Sequence, residues 1–175
     1  DINLPLCQEE LIQKMAGLGK PVVLVHFGGR PISSDAADQY ADAILEAWNP
    51  GEKGADAVVS VLFGEYNPAG RMPVSTPYNA GQIPVYYNHP YGSGYHQNTI
   101  SAFRQYMDCP HEPRYYFGHG LSYTTFAYKK MQIRNRRLQP EDELELTLEI
   151  ENTGERDGEE VVQLYIRDCY ASMVR

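Results

Sequence analysis

The sequence predicts an α/β fold for the longer first part of the chain, followed by the first strands of a β-sandwich. Three observations lead to this prediction. A helical pattern in residues 1–20 leads into the apolar run Val22–Val25, which is the order of elements in an α/β unit. A second helical pattern covers residues 55–62. Further along, Leu144–Glu151 alternates strictly between apolar and polar side chains, as in a strand with one buried face.

The first helix is predicted from apolar residues at the spacing i, i+4 and i+7. Leu11, Met15 and Leu18 have this spacing, with Ile12 alongside, and we expect them to form the buried face. The strand that follows is continuously apolar and β-branched, which is typical of a strand buried on both faces.

The next elements are marked by turn residues. Gly28–Pro31 turns the chain after the first strand, and Asp35–Tyr40 has the composition of a short helix. Periodicity leaves Ala43–Trp48 open between a second strand and a helical continuation. Ala55, Val58, Val59 and Leu62 have helical spacing, and we expect Gly64 to end that helix.

A long segment from residue 65 to about 122 holds most of the prolines and tyrosines and shows no periodicity. Such segments usually wrap a surface or build a site. Its last part, Phe117–Phe126, carries large aromatic rings around Gly118 and Gly120, and we interpret it as a linker between two domains. The predicted domains are residues 1–122, a partial α/β domain, and residues 123–175.

The second predicted domain begins a β-sandwich. Strands are predicted over Phe126–Ile133, Leu144–Glu151 and Val161–Ile166, with a turn at Asn152–Gly158 between the last two. An immunoglobulin-like sandwich needs seven strands and roughly 100 residues. Residues 123–175 therefore hold only the first strands of such a domain.

Composition excludes several functions. A net charge of −8 argues against a nucleic-acid partner, which favours a basic surface. No apolar run is long enough to span a bilayer, so no membrane partner is expected. The three cysteines and five histidines share no metal-ligand spacing. We predict no metal site.

Five segments of the chain are informative when they are read together. They are Lys20–Val25 with Gly29–Pro31, Ile44–Glu52, Val61–Val74, Gln82–His89 and Phe117–Phe126. These motifs and their order resemble glycoside hydrolase family 3, and the resemblance covers nearly the whole chain. The Gln82–His89 stretch is more similar to β-glucosidases than to β-xylosidases.

The resemblance implies a longer protein with a (β/α)₈ barrel, an α/β sandwich and a fibronectin-III-like domain. This chain would hold the later part of the second and the beginning of the third, and the N-terminal barrel would be its partner. The implied reaction is retaining hydrolysis of a β-glucoside or short oligosaccharide through a glycosyl-enzyme intermediate, with two carboxyl groups and no cofactor.

The resemblance also implies where the two catalytic carboxylates lie. The family's nucleophile is an aspartate on the barrel. Its usual acid/base is a glutamate just before a stretch that resembles Ile2–Pro5, so it would lie a few residues before Asp1. We therefore expect no catalytic residue within this chain, and we expect the isolated chain to be inactive.

Carboxylates inside the chain agree with this expectation. A glycosidase acid needs a shielded pocket, whereas these acids are predicted on polar faces or in turns. They are Glu9, Glu10, Asp35, Asp38, Glu65, Glu159 and Glu160.

Substrate binding is predicted for Tyr87, Asn88 and His89, within an aromatic cluster at residues 86–91. Aromatic rings stack on sugar faces, and amide and imidazole groups bind hydroxyls. The alternative interpretation is that these residues pack this loop against the barrel.

Two other functions remain open at this stage. The chain could be a non-catalytic scaffold that binds carbohydrate or protein, or it could belong to an enzyme for β-xylosides, α-arabinosides or N-acetylglucosaminides. Fold alone does not decide the sugar. A Glu-Gly-x-Asp-Arg type stretch upstream of Asp1 would favour the β-glucosidase.

Overall fold

The computed structural model describes residues 2–88, 106, 108–135 and 137–170. Helices and short strands come first along the chain, and two longer strands follow a long irregular segment. The elements are α1 (Leu6–Ala16), β1 (Val23–His26), α2 (Asp35–Tyr40), β2 (Ala43–Glu46), α3 (Gly54–Leu62), a 3₁₀ turn (Ala80–Gln82), β3 (Phe126–Ile133) and β4 (Leu146–Asn152).

Strands β1 and β2 form a parallel pair, in register from Val23 opposite Ala43 to His26 opposite Glu46. The sequence left residues 43–48 open between strand and helix, and the structure makes Ala43–Glu46 a strand. Helix α2 lies between the two strands in the chain, which gives the strand–helix–strand order of an α/β unit. The predictions of helices α2 and α3 are confirmed, and Gly64 follows α3 with a φ of 75°.

Helix α1 is shorter than predicted, and its buried side differs. Ile12 is buried with Ala36 and Ala37 of α2, whereas Leu11 is 56% exposed and Met15 and Leu18 are also exposed. The prediction of a buried Leu11, Met15 and Leu18 face was wrong for the described chain. The reason is that α1 packs on α2 through the Ile12 side, and the described residues offer no surface to the rest of its apolar stripe.

Burial of the first strand on both faces was also a wrong prediction. Val23 is exposed, and the rest of β1 is only half-buried. Among the described residues, β1 pairs with one strand, but pairing covers only the edge of a strand. The faces of a strand are covered by elements packed above and below the sheet, and the described residues cover β1 only partly. The apolar run therefore predicts the strand correctly but overstates its burial.

The second sheet is antiparallel and joins β3 to β4, with Phe126 opposite Asn152 and Ile133 opposite Leu146. Both strands were predicted, although β4 begins two residues later than the alternating pattern. The register shifts between Lys129 and Gln132. This irregularity includes Lys130 at a φ of 51°, so β3 bends in its middle.

The predicted strand Val161–Ile166 is not a strand in the structure. These residues have no regular secondary structure and lie outside every described sheet. A segment with apolar side chains can bury one face, but its own sequence does not provide the neighbouring strand with which it must pair. The segment instead contacts the linker, because Gln163 Nε2 donates to the Gly118 carbonyl at 2.9 Å. Two of the three strands predicted for residues 123–175 are present among the described residues.

The long irregular segment folds back on itself. Thr76 forms an antiparallel bridge with Tyr115. Met72 N donates to the His119 carbonyl, and Gly118 N donates to the Met72 carbonyl, each at 2.7 Å. Gly118 has a φ of 81°, which glycine adopts without steric strain. The start of the predicted linker is thus fixed against residues 72–76.

Among the described residues, no helix is both long and apolar enough to cross a bilayer.

Candidate functional site

The predicted substrate-binding residues lie at the end of a described stretch. The Tyr87 ring stacks on Phe117 at a centroid distance of 4.8 Å and lies 6.1 Å from the Tyr165 ring. Tyr87 is 53% exposed. Its ring can therefore still stack on a ligand, although Phe117 partly covers it. Asn88 follows in a half-buried turn, and His89 lies outside the described residues.

One side chain that was not predicted to have a role has the lowest exposure among the ion pairs of the described chain. Arg114 is only 3% exposed and forms ion pairs with Asp35 and Asp38. Its Nε donates to Ser33 Oγ at 2.8 Å. Its guanidinium also lies 4.3 Å from the centre of the Tyr78 ring, a cation–π contact. We refer to these five residues as the Arg114 cluster.

The neighbours of Arg114 stabilise its positive charge. Burial alone lowers the pKa of this guanidinium. Hydrogen bonds and charges of Asp35 and Asp38 outweigh burial, so the net effect raises the pKa of Arg114. The guanidinium therefore stays protonated, and its two carboxylate partners more than neutralise it.

Tyr115 extends the cluster toward the linker. Its hydroxyl donates to Asp38 Oδ1 at 2.6 Å, and its ring stacks on His119 at 5.4 Å. Burial, followed by the hydrogen bond and charge of Asp38, raises the pKa of Tyr115 well above its usual range. Asp38 therefore binds Arg114 and the phenol together.

At its other end the cluster reaches the N-terminal segment. Ser33 is fully buried, and its hydroxyl donates to the Tyr78 carbonyl at 2.7 Å. The backbone of Ser33 donates to the Ile2 carbonyl at 3.0 Å. Asn3 Nδ2 donates to the Ser33 and Tyr78 carbonyls, each at 3.5 Å. Arg114 is thus connected to Ile2 and Asn3 through one serine.

A buried glutamine fixes the loop that precedes Arg114. Gln82 is 2% exposed. Its Oε1 accepts from Tyr78 N at 2.7 Å, and its Nε2 lies 2.8–3.2 Å from three successive carbonyls, those of residues 110–112. One amide therefore satisfies buried backbone groups from two separate parts of the chain.

The ends of the parallel strands carry a second polar pair. His26 Nδ1 donates to the Glu46 carboxylate at 2.7 Å. A cavity of about 20 Å³ lies beside the pair and is also lined by Asp38 and Tyr115. This volume is enough for one water and too small for a sugar.

Several internal carboxylates bind side chains that the sequence did not indicate as their partners. Glu9 Oε2 accepts from Ser34 Oγ at 3.0 Å. Asp35 and Asp38 bind Arg114, and Glu160 binds Arg71 at 2.7 Å. A polar face is confirmed for Asp35, which is 91% exposed, but each of these acids also has a partner distant in sequence that the local pattern did not indicate. No group of His, Cys, Asp and Glu in the described chain could hold a metal ion.

Sequence reasoning missed Arg114 because its partners lie 76–81 residues away. Nothing in the local pattern around Pro113 and Arg114 indicates a buried cation. The paired acids Asp35 and Asp38, at helical spacing, are the one local feature that could have suggested a cationic partner.

The helices, the parallel strand pair and the polar cluster beside it define the first part of the chain as an α/β unit. The chain belongs to glycosyl hydrolase family 3, because the model of the glycosyl hydrolase family 3 C-terminal domain matches residues 1–123. This confirms the family resemblance.

Relatives of the chain are named as two kinds of glycosidase. The periplasmic β-glucosidase of Salmonella typhimurium is 42% identical over 100% of this chain and 23% of the relative. A β-xylosidase of Formosa agariphila is 39% identical over 100% of this chain and 24% of the relative. The chain thus spans about a quarter of the length of these relatives.

Solved structures agree with the fold. A β-glucosidase from Listeria innocua in complex with glucose matches 99% of this chain and 24% of its own, at 37% identity and a TM-score of 0.90. A β-glucosidase from Erythrobacter marinus matches 99% of this chain and 22% of its own, at 41% identity and a TM-score of 0.85. The described arrangement is therefore one found in larger glycosidases.

Proposed function

We propose that this chain is part of a retaining β-glucosidase that releases terminal β-linked glucose through a glycosyl-enzyme intermediate. The observation that carries the proposal is the match of nearly the whole chain to the glucose-bound β-glucosidase from Listeria innocua. The 42% identity to a periplasmic β-glucosidase supports it further.

In the proposed protein, residues 1–122 belong to an α/β sandwich and residues 123–175 begin a fibronectin-III-like domain. The antiparallel pair β3–β4 supports the second assignment. A (β/α)₈ barrel would supply the nucleophile, and a glutamate before Asp1 would supply the acid/base. This chain would then contribute no catalytic carboxylate and, alone, would be inactive.

The proposed substrate contact within the chain is the stretch Tyr87, Asn88 and His89. Half-exposure of Tyr87 supports this role, since a ring free on one side can stack on a sugar. Packing of Tyr87 on Phe117 fits the alternative, in which this loop serves domain packing.

β-Xylosidase activity is the second candidate. The observation in its favour is the 39% identity to a β-xylosidase, which nearly equals the identity to the β-glucosidase. The two substrates differ by one hydroxymethyl group, and one small group in a pocket changes specificity only modestly.

Hydrolysis of matched nitrophenyl β-glucoside and β-xyloside tests both candidates. The enzyme is the longer protein that contains this chain, and the anomeric configuration of the first-formed sugar is read by NMR. We expect faster glucoside hydrolysis with retention. Faster xyloside hydrolysis would favour the second candidate, and inversion would contradict the two-step mechanism.

The 175-residue chain alone is the control for the location of the carboxylates. We expect no turnover at high protein concentration. Turnover that persists through repeated purification would place a catalytic carboxylate inside this chain.

A further inference from the structure

We propose that Arg114 is a positioning residue for the acid/base of this glycosidase and acts through Ser33 on the N-terminal segment Ile2–Asn3. The proposal rests on the proposed function, in which the acid/base lies just before Asp1. It assigns a role in the reaction to a side chain that itself contacts neither substrate nor catalytic carboxylate.

The first step is a short chain of hydrogen bonds. Arg114 Nε donates to Ser33 Oγ at 2.8 Å, and Ser33 N donates to the Ile2 carbonyl at 3.0 Å. Ser33 also forms a parallel bridge with Asn3. Ser33 is therefore held by Arg114 on its side chain and holds Ile2 and Asn3 with its backbone.

The second step is rigidity. Ser33 is fully buried, and the Arg114 side chain is 3% exposed. Each nitrogen of the guanidinium has a partner: Nε binds Ser33, Nη1 binds Asp38 and the Ser34 carbonyl, and Nη2 binds Asp35. A planar cation bound at every corner has one orientation, so the position of Ser33 is fixed.

The third step concerns charge. Two carboxylates, Asp35 and Asp38, surround the single positive charge of Arg114. The cluster therefore presents no net positive charge to stabilise a distant anion. Its effect on a residue upstream of Ile2 must come from position, and this separates the proposal from an electrostatic role.

The fourth step concerns the position that general acid catalysis requires. A general acid must lie within hydrogen-bond reach of the leaving oxygen, and small displacements cost large factors in rate. Only a few residues would separate the acid/base from Ile2. Anchoring of Ile2 and Asn3 therefore fixes the nearer end of the segment that would carry it.

The test uses leaving groups of different basicity. A poor leaving group, as in an alkyl β-glucoside, needs protonation by the acid, whereas a dinitrophenolate leaves without it. The variants Arg114→Lys, Ser33→Ala and Asn3→Ala are made in the longer, barrel-bearing protein. We expect kcat/KM for the alkyl glucoside to fall on the order of tenfold more than for the dinitrophenyl glucoside.

The pH profile gives a second readout. The acid must be protonated, so its ionisation sets the alkaline limb of kcat/KM. Displacement from a shielded pocket favours the ionised carboxylate. We therefore expect the alkaline limb of the three variants to move to lower pH.

Arg71→Lys is the matched control. Arg71 is 12% exposed and pairs with Glu160 at 2.7 Å. The change therefore removes a guanidinium from another ion pair that is largely shielded from solvent. None of the contacts of Arg71 involves Ile2, Asn3 or Ser33 in the described chain. We expect both substrates to be affected by the same factor.

The result that overturns the proposal is a folded Ser33→Ala protein whose ratio of the two kcat/KM values equals that of the wild type. This mild variant decides the matter even where Arg114→Lys fails to fold. A wild-type protein inactive on both glucosides would instead overturn the proposed function, and the positioning role with it.

Discussion

Polar side chains occupy the most buried positions of the described chain. The largest fully buried side chains are Gln82, Thr76 and Ser33, whereas the buried apolar cluster consists of Ile12, Ala36 and Ala37. Buried polar groups that are fully satisfied specify one arrangement, and those that lose a partner are costly. Stability of the first unit should therefore depend on individual hydrogen bonds to an unusual degree.

Replacement of Gln82 by alanine should destabilise the protein by about 3 kcal/mol. The change leaves Tyr78 N and the carbonyls of residues 110–112 without their amide partner. Urea unfolding measures the difference in the free energy of unfolding. A loss below about 1 kcal/mol would mean that water replaces the amide.

Thr76→Val is the contrasting variant at an equally buried site. Thr76 Oγ1 is buried and has no hydrogen-bond partner in the described structure. Removal of an unpaired hydroxyl at nearly constant volume should leave the free energy of unfolding unchanged or raise it by about 1 kcal/mol. A clear loss of stability would contradict this.

Tyr115 should make stability depend on alkaline pH. Its folded-state pKa lies above the usual tyrosine value of about 10, so its contribution is complete below that usual value and is lost as pH rises toward the folded pKa. Tyr115→Phe removes both the hydrogen bond to Asp38 and this dependence. The stability gap between wild type and variant, measured by urea unfolding, should therefore shrink between neutral pH and about pH 11.

Tyr170→Phe, which removes a fully exposed phenol, is the control for the loss of a tyrosine. A gap for Tyr115→Phe that stays constant across the alkaline range would contradict the raised pKa.

At the scale of elements, the start of α2 is held by a serine. Ser34 Oγ accepts from Ala37 N at 2.9 Å and donates to Glu9 of α1 at 3.0 Å. Ser34→Ala should destabilise the protein by about 1–2 kcal/mol, since it removes an N-cap and a contact between helices. Lys53→Ala, at the start of α3 where no side chain caps the helix, should change stability by less than about 0.5 kcal/mol. Equal losses in thermal unfolding would argue against the capping role.

The sequence predicted those elements that depend only on residues close together in the chain. Helical spacing placed α3, and alternation placed β4, because each depends on residues within one turn or one strand. Val161–Ile166 has the same apolar character but belongs to no described sheet, since a strand also needs a neighbour that its own sequence does not specify. Arg114 was missed for the same reason, as its partners are distant in sequence.

For the molecule as a whole, the two sheets are joined through side chains on the irregular segments. Arg71 binds Glu160 at 2.7 Å, and Asn67 Nδ2 donates to the Asp157 carbonyl at 3.0 Å. Arg156 lies 5.7 Å from the Tyr123 ring centre. The residues after β4 thus contact the segment after α3, and this polar interface fixes the second sheet against the α/β unit.

Arg71→Met should destabilise the protein by about 2 kcal/mol, because Glu160 is left as a largely buried charge without its cation. The double variant with Glu160→Gln should recover part of that loss, and a double-mutant cycle isolates the pair. A coupling energy near zero would mean that solvent screens the pair as it screens surface ion pairs.

The long sequence separations within the Arg114 cluster also bear on the order of events during synthesis. Ser33, Asp35 and Asp38 leave the ribosome long before Arg114 does. Until Arg114 emerges, the two carboxylates repel each other and Ser33 lacks its donor. Contacts that close long loops form late. The helices and parallel strands of the first unit can therefore form early on the nascent chain. Their final arrangement requires residues 110–119, which are synthesised later. A chain that stalls before that point would expose Asp35 and Asp38 without their cationic partner.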